Sequence, residues 1–105
     1  TKEEKNLAKD AKNYMDCMYK KDIKIQDVAR NLHVHPNYLS TLFRKEYGQS
    51  PREYLRKVRM NQAKILLSLT EYSIMDISFA VGYTNPFQFS KVFVHTPHNS
   101  GAYHS

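Results

Sequence analysis

A chain of 105 residues with 41% hydrophobic content can build one small domain or two very small ones, and no apolar run approaches the ~18 residues of a membrane span. The single cysteine, Cys17, excludes an internal disulfide framework and a thiolate zinc site, which fits a cytoplasmic protein. The net charge of +6 is concentrated centrally: Lys and Arg against Asp and Glu number 8 to 6 over residues 1–35, 7 to 2 over 36–69 and 1 to 2 over 70–105. A basic middle suggests a polyanion partner, with nucleic acid ahead of a membrane surface, against the alternative of a solvated basic face. The chain starts at Thr1 rather than Met and shows no signal-peptide pattern, so a piece of a longer protein is expected.

Taken in order, Lys2 to about Lys20 reads as a helix with Leu7, Ala8, Ala11, Tyr14, Met15 and Met18 on one face. Lys20-Lys21-Asp22 is a polar break. A short helix is predicted over residues 25–32, with Lys24 a poor N-cap. After His33-Val34-His35, Pro36 opens a helix to Tyr47, and Gly48 stops it.

The next helix is predicted from Pro51 to Leu69. Ser50 is its N-cap, Pro51 its first position, and Glu53 completes a capping box. At 1.5 Å per residue it runs roughly 28 Å. Tyr54, Leu55, Val58, Ala63, Ile65, Leu66 and Leu69 fall within one half of its wheel, and Met60 and Leu67 widen that arc. Only Glu53, Lys57, Asn61, Lys64 and Ser68 form a polar strip. A surface helix shows a narrower stripe, so this one is expected to be packed on two sides, as a strut between two modules. Arg59 falls inside the apolar arc, where an ion pair with a carboxylate is expected, and a phosphate contact second.

Beyond the turn at Thr70-Glu71-Tyr72, Ser73 caps a helix predicted over residues 74–81, and Gly82 ends it. Asn85 caps and Pro86 opens a last helix with Phe89, Val92 and Phe93 as core candidates. Pro97 limits it. No strand pattern is present.

The chain repeats itself. Asp27-Val28-Ala29 and Pro36 through Phe43 match Asp76-Ile77-Ser78 and Pro86 through Phe93 at an offset of 49, then 50, the extra residue falling in the turn. Two helices joined by three or four residues, the second opened by Pro and anchored by apolar residues four apart, form a helix-turn-helix. Ala29 and Ser78 let each pair approach closely. The outward face of the second helix in each unit suits a major groove about 12 Å wide.

With these residues the chain resembles the DNA-binding domain of AraC/XylS-type bacterial transcription factors. The resemblance rests on Asp27-Val28-Ala29, Tyr38-Leu39-Ser40, Leu42 through Gly48, Tyr54-Leu55, Val58-Arg59-Met60, Ala63-Lys64, Leu66-Leu67, Ile77, Ala80 through Tyr83, and Phe89 through Phe93. It covers about residues 5 to 93. It implies an all-α, homeodomain-like tandem of two helix-turn-helix subdomains joined by the long helix. The expected boundaries are 1–49, 50–69, 70–95 and an atypical tail over 96–105. It implies sequence-specific binding to adjacent major-groove segments of double-stranded promoter DNA, with no cofactor. It further implies a missing sensing or dimerisation domain, usually N-terminal, and RNA polymerase as a partner. Where the family continues past Phe93 with a Ser-Pro-like cap and a final helix, this chain has Val94 through Ser105, and that helix is not visible.

The first reading helix spends Leu39, Leu42 and Phe43 on the core. Asn37, Ser40 and Thr41 then project outward as base readers, since Asn bonds adenine bidentately and Ser or Thr bonds either base type. Arg44 and Lys45 suit phosphates. On the second, Phe87, Ser90 and Lys91 are outward, with Phe87 suited to a thymine methyl. Backbone amides at the helix starts near Pro36 and Pro86 offer further phosphate contacts. Successive major-groove faces lie about 34 Å apart, close to the length of the strut.

Other readings are weaker. His33-x-His35 and His95-x-x-His98 lack the cysteines or carboxylates that complete a metal site. There is no glycine-rich phosphate loop and no nucleophile–base constellation, so no enzyme is expected. The principal alternative is a basic helical bundle binding a protein partner or RNA, for which Tyr83 and Phe87 are the candidate stacking aromatics.

Overall fold

A computed structural model describes residues 1–95. Among them are six helices and no strand: α1 (Lys2–Met18), α2 (Ile25–Asn31), α3 (Pro36–Tyr47), α4 (Pro51–Leu69), α5 (Ile74–Ala80) and α6 (Pro86–His95). The tail expectation, residues 96–105, lies outside the described residues.

Local chemistry sets the boundaries. α4 begins where Ser50 Oγ accepts the Glu53 amide at 3.1 Å and Glu53 Oε1 accepts the Ser50 amide at 3.1 Å. Those bonds hold the Glu53 carboxyl below its ordinary pKa. The start of α5 carries the same pair of cap bonds, Ser73 Oγ accepting the Asp76 amide and Asp76 Oδ2 accepting the Ser73 amide. Lys24 supplies no side-chain cap, as its chemistry requires, and Asp27 Oδ2 accepts the Lys24 amide at 2.8 Å instead. α3 ends at Gly48, whose φ of 73° lets its N–H reach the Arg44 carbonyl at 2.8 Å.

The repeat extends to individual hydrogen bonds. Val34 N–H donates to Ala29 O at 3.0 Å, and 49 residues on Tyr83 N–H donates to Ser78 O at 3.0 Å. His33 N–H reaches Arg30 O, and Gly82 N–H reaches Phe79 O. The turn residue takes positive φ in both units, 59° at His33 and 102° at Gly82. This left-handed step ends α2 and α5 one residue earlier than periodicity predicts. The second helix of each unit is then capped from two residues before its first amide: His35 Nδ1 accepts from Asn37 N–H at 3.0 Å, and Asn85 Oδ1 accepts from Phe87 N–H at 2.9 Å.

Two cores result. In the first, α1 packs on α2, α3 and α4 around Met15, Val28, Leu39, Phe43 and Leu55. Phe43 sits against Tyr47 and Tyr54, and the Tyr54 hydroxyl donates to Asp16 Oδ1 at 2.5 Å, tying α4 to α1. In the second, α5 packs on α4 and α6 around Met60, Ala63, Ile77, Val81 and Phe89. Each large buried side chain contributes roughly 1.5–3 kcal/mol relative to exposure. The strut serves both cores, Leu55 in one and Met60 and Ala63 in the other. Its apolar arc is not buried throughout, however: Ile65 is 46% and Leu69 78% exposed. Leu66 and Leu67 pack against the second core, while Ile65 and Leu69 face solvent despite their place on the wheel. The whole is elongated, 48 × 25 × 20 Å.

Candidate nucleic-acid interface

On α3 the core takes Leu39, Leu42 and Phe43, all buried. Asn37, Thr41, Arg44 and Lys45 are exposed together on the opposite face, with Ser40 half-buried at its edge. The Thr41 hydroxyl donates to the Asn37 carbonyl at 3.0 Å, which leaves its lone pairs facing outward as acceptors. Tyr38, 47% exposed, flanks the same face on the other side. Periodicity alone gives no sign of it, because an aromatic beside a core leucine reads as core.

α6 repeats the arrangement. Phe89 is fully buried, while Phe87 is 84% exposed and Lys91 is exposed. Ser90, like Ser40, is half-buried. Gln88 is exposed on this face as well. At both helix starts the first amide is already engaged by its cap, and Pro36 and Pro86 carry no N–H. An anion there meets the amides of Tyr38 and Gln88.

What joins the two units is Arg59. It is 8% exposed, and among the described residues it forms no ion pair with a carboxylate, Asp22 acting on it only at longer range. Its Nε donates to the Tyr19 carbonyl at 3.1 Å and its Nη2 to the Lys21 carbonyl at 2.9 Å. Tyr19 is the C-cap of α1, where backbone acceptors lack helical partners and the helix dipole is negative, and Lys21 lies in the turn just beyond it. The guanidinium on the strut thus meets two backbone acceptors at and just past the end of α1 in place of a carboxylate. Burial lowers the Arg59 pKa from its ordinary value, opposed by Tyr83 and Asp22. The guanidinium carbon lies 5.3 Å from the centroid of the Tyr83 ring. Burial in turn raises the Tyr83 phenol, with Arg59 opposing.

Gly82 completes the junction. A Cβ there would overlap the Tyr19 carbonyl oxygen and lie 3.1 Å from Arg59 Nε. The α5–α6 turn therefore packs directly on the end of α1. Its counterpart His33 is exposed and keeps a side chain at a positive φ of 59°. The repeat breaks at the one place where the units touch.

Among the described residues no cluster of His, Cys, Asp and Glu is arranged to hold a metal, and no helix is long and apolar enough to cross a membrane. The fold and its two outward-facing helices define a tandem helix-turn-helix domain. The sequence pattern of the family described as "Helix-turn-helix domain" matches residues 28–100. The lactose operon transcription activator of Staphylococcus xylosus is 42% identical over 83 residues, 79% of this chain and 30% of that protein. Among solved structures, the C-terminal domain of AraT, a response regulator from Geobacillus stearothermophilus, has a TM-score of 0.81 at 29% identity. It covers 90% of this chain and 94% of that one. A transcriptional regulator from Chromobacterium violaceum, titled as containing an AraC-type DNA-binding domain, has a TM-score of 0.73 at 26% identity over 89% of this chain and 83% of that one. The chain belongs to the AraC-type helix-turn-helix family. It spans 30% of the length of the curated relative it matches.

Proposed function

We propose that the chain is the DNA-reading portion of a bacterial transcription regulator, placing α3 and α6 in adjacent major-groove segments of double-stranded promoter DNA. The observation that carries this is the junction. Two helix-turn-helix units, equivalent down to their turn hydrogen bonds, are locked at one separation by Arg59 and Gly82. A protein that binds through one helix has no use for that lock.

Asn37, Ser40 and Thr41 on α3, and Phe87, Ser90 and Lys91 on α6, are the base readers. Arg44 and Lys45, with the Tyr38 and Gln88 amides at the helix starts opened by Pro36 and Pro86, hold phosphates. Residues 1–49 and 70–95 are the two reading units, 50–69 the spacer. The remainder of the regulator supplies sensing or dimerisation, and RNA polymerase is the further partner. The working compartment is the cytoplasm.

Gel shifts across a salt series test the reading. Duplex DNA should bind, with affinity falling steeply as salt rises; preference for single-stranded RNA would overturn it. Arg44→Ala or Lys45→Ala should weaken all duplexes alike. Thr41→Ala should change which sequence wins, by about 1–3 kcal/mol at the base it contacts. A footprint should protect two adjacent groove segments on one face of the duplex.

A further inference from the structure

Between the two units lies a cleft of about 670 Å³, and of the side chains assigned above to bases and phosphates only Lys91 lines it. One wall is the segment leading into α2, with Asp22 and Lys24. The floor is one face of α4, where Arg52, Arg56 and Arg59 stand on successive turns. The other wall is α6, through Lys91. Five cationic side chains thus line it, against the single carboxylate of Asp22.

Arg59 is committed to the α1 carbonyls. The other four are exposed, and among the described residues none of them takes part in an ion pair. Arg52 and Arg56 sit four residues apart on the same helix face, where like charges repel. A concave site focuses that unpaired positive field. The arrangement is stable in water but suits an anion that spans the cleft.

The position of the cleft selects the anion. Its α6 wall carries Lys91 from the outward face of the second reading helix. Its α2 wall is the first helix of a helix-turn-helix, the element that crosses the DNA backbone when the second enters the groove. Two major-groove segments on one face of a duplex are separated by a minor groove about 6 Å wide, bordered by a phosphate strand on each side. We propose that this cleft receives the backbone phosphates bordering that central minor groove, with Arg52 and Arg56 of the spacer helix as the principal contacts and Lys24 as a third. The spacer is then a DNA-binding element and not only a ruler. This rests on the DNA-binding reading above.

The test uses the 105-residue chain and a duplex selected by it from a random-sequence library. The slope of log affinity against log salt is measured for the unaltered chain, for the double variant Arg52→Ala with Arg56→Ala, and for Lys57→Ala on the polar strip outside the cleft. Each phosphate contact contributes about 0.9 to the slope, so the double variant should lose about 2 from it, with the preferred sequence unchanged. Lys57→Ala should keep the slope. Circular dichroism establishes that the double variant is folded, as alanine at two exposed helical positions favours. A double variant with the original slope overturns the cleft assignment and leaves DNA binding intact. An unaltered chain that selects no duplex overturns the underlying reading itself.

Discussion

Replacing Arg59 by Met removes the junction while keeping a stem of similar length. The two hydrogen bonds from a charged donor are worth about 1.5–3 kcal/mol each, and the contact with the Tyr83 ring about 0.5–1 kcal/mol more. Two effects reduce the loss. The Lys21 carbonyl keeps a bond from Ile23 N–H at 2.7 Å, and the cost of burying a guanidinium is recovered. The net destabilisation should be about 2–3 kcal/mol by these values. In urea, with a slope near 1 kcal/mol/M for a small domain, the midpoint should fall by roughly 2 M. Arg59→Lys should fall between the two, because an ammonium lacks the planar fork that reaches both carbonyls. The binding readout is separate: a folded Arg59→Met chain should lose roughly tenfold or more of its advantage for a complete site over a half-site, because the second helix is no longer pre-positioned. A stability change under about 0.5 kcal/mol, together with an unchanged full-site to half-site ratio, would refute the role given to this residue.

Gly82→Ala combines a positive φ with overlap on the Tyr19 carbonyl and should cost more than about 2 kcal/mol, read as a lowered thermal midpoint. His33→Gly, at the equivalent turn without that contact, should instead stabilise by about 0.5 kcal/mol, since it relieves a left-handed non-glycine residue at some cost in chain entropy. Ser50→Ala should cost about 1 kcal/mol by removing the α4 cap, measurable by urea unfolding. Tyr54 and Tyr83 are both held above the ordinary phenol value of 10, first by burial and, for Tyr54, next by its bond to Asp16. Above pH 10 the unfolded chain has released these protons and the folded chain has not, so stability should be full below that pH and fall as pH rises through the higher folded values. An alkaline unfolding series should show this, and Tyr54→Phe should reduce the fall.

The elements were legible in the sequence because their signals are local. Ser50-Pro51 with Glu53, Gly48 after Tyr47, and Pro36 and Pro86 after their turns each act through bonds within four residues, and α3 and α4 have the predicted bounds. The duplication was legible too, since similar side chains at an offset of 49, then 50, must meet similar local constraints. Burial was only partly so. The wheel of α4 showed which side was apolar, but Ile65 and Leu69 are exposed because burial depends on which distant elements pack against each position, which no local pattern encodes. The partner of Arg59 was hidden for the same reason. Its acceptors are backbone carbonyls some 40 residues away, and a carbonyl has no letter in the sequence. Nor could Gly82 be told from a plain turn glycine until the end of α1 was found against it. Chain chemistry alone determined two reading helices and the rod between them. Only tertiary packing decided their mutual placement and the basic cleft that opens between them.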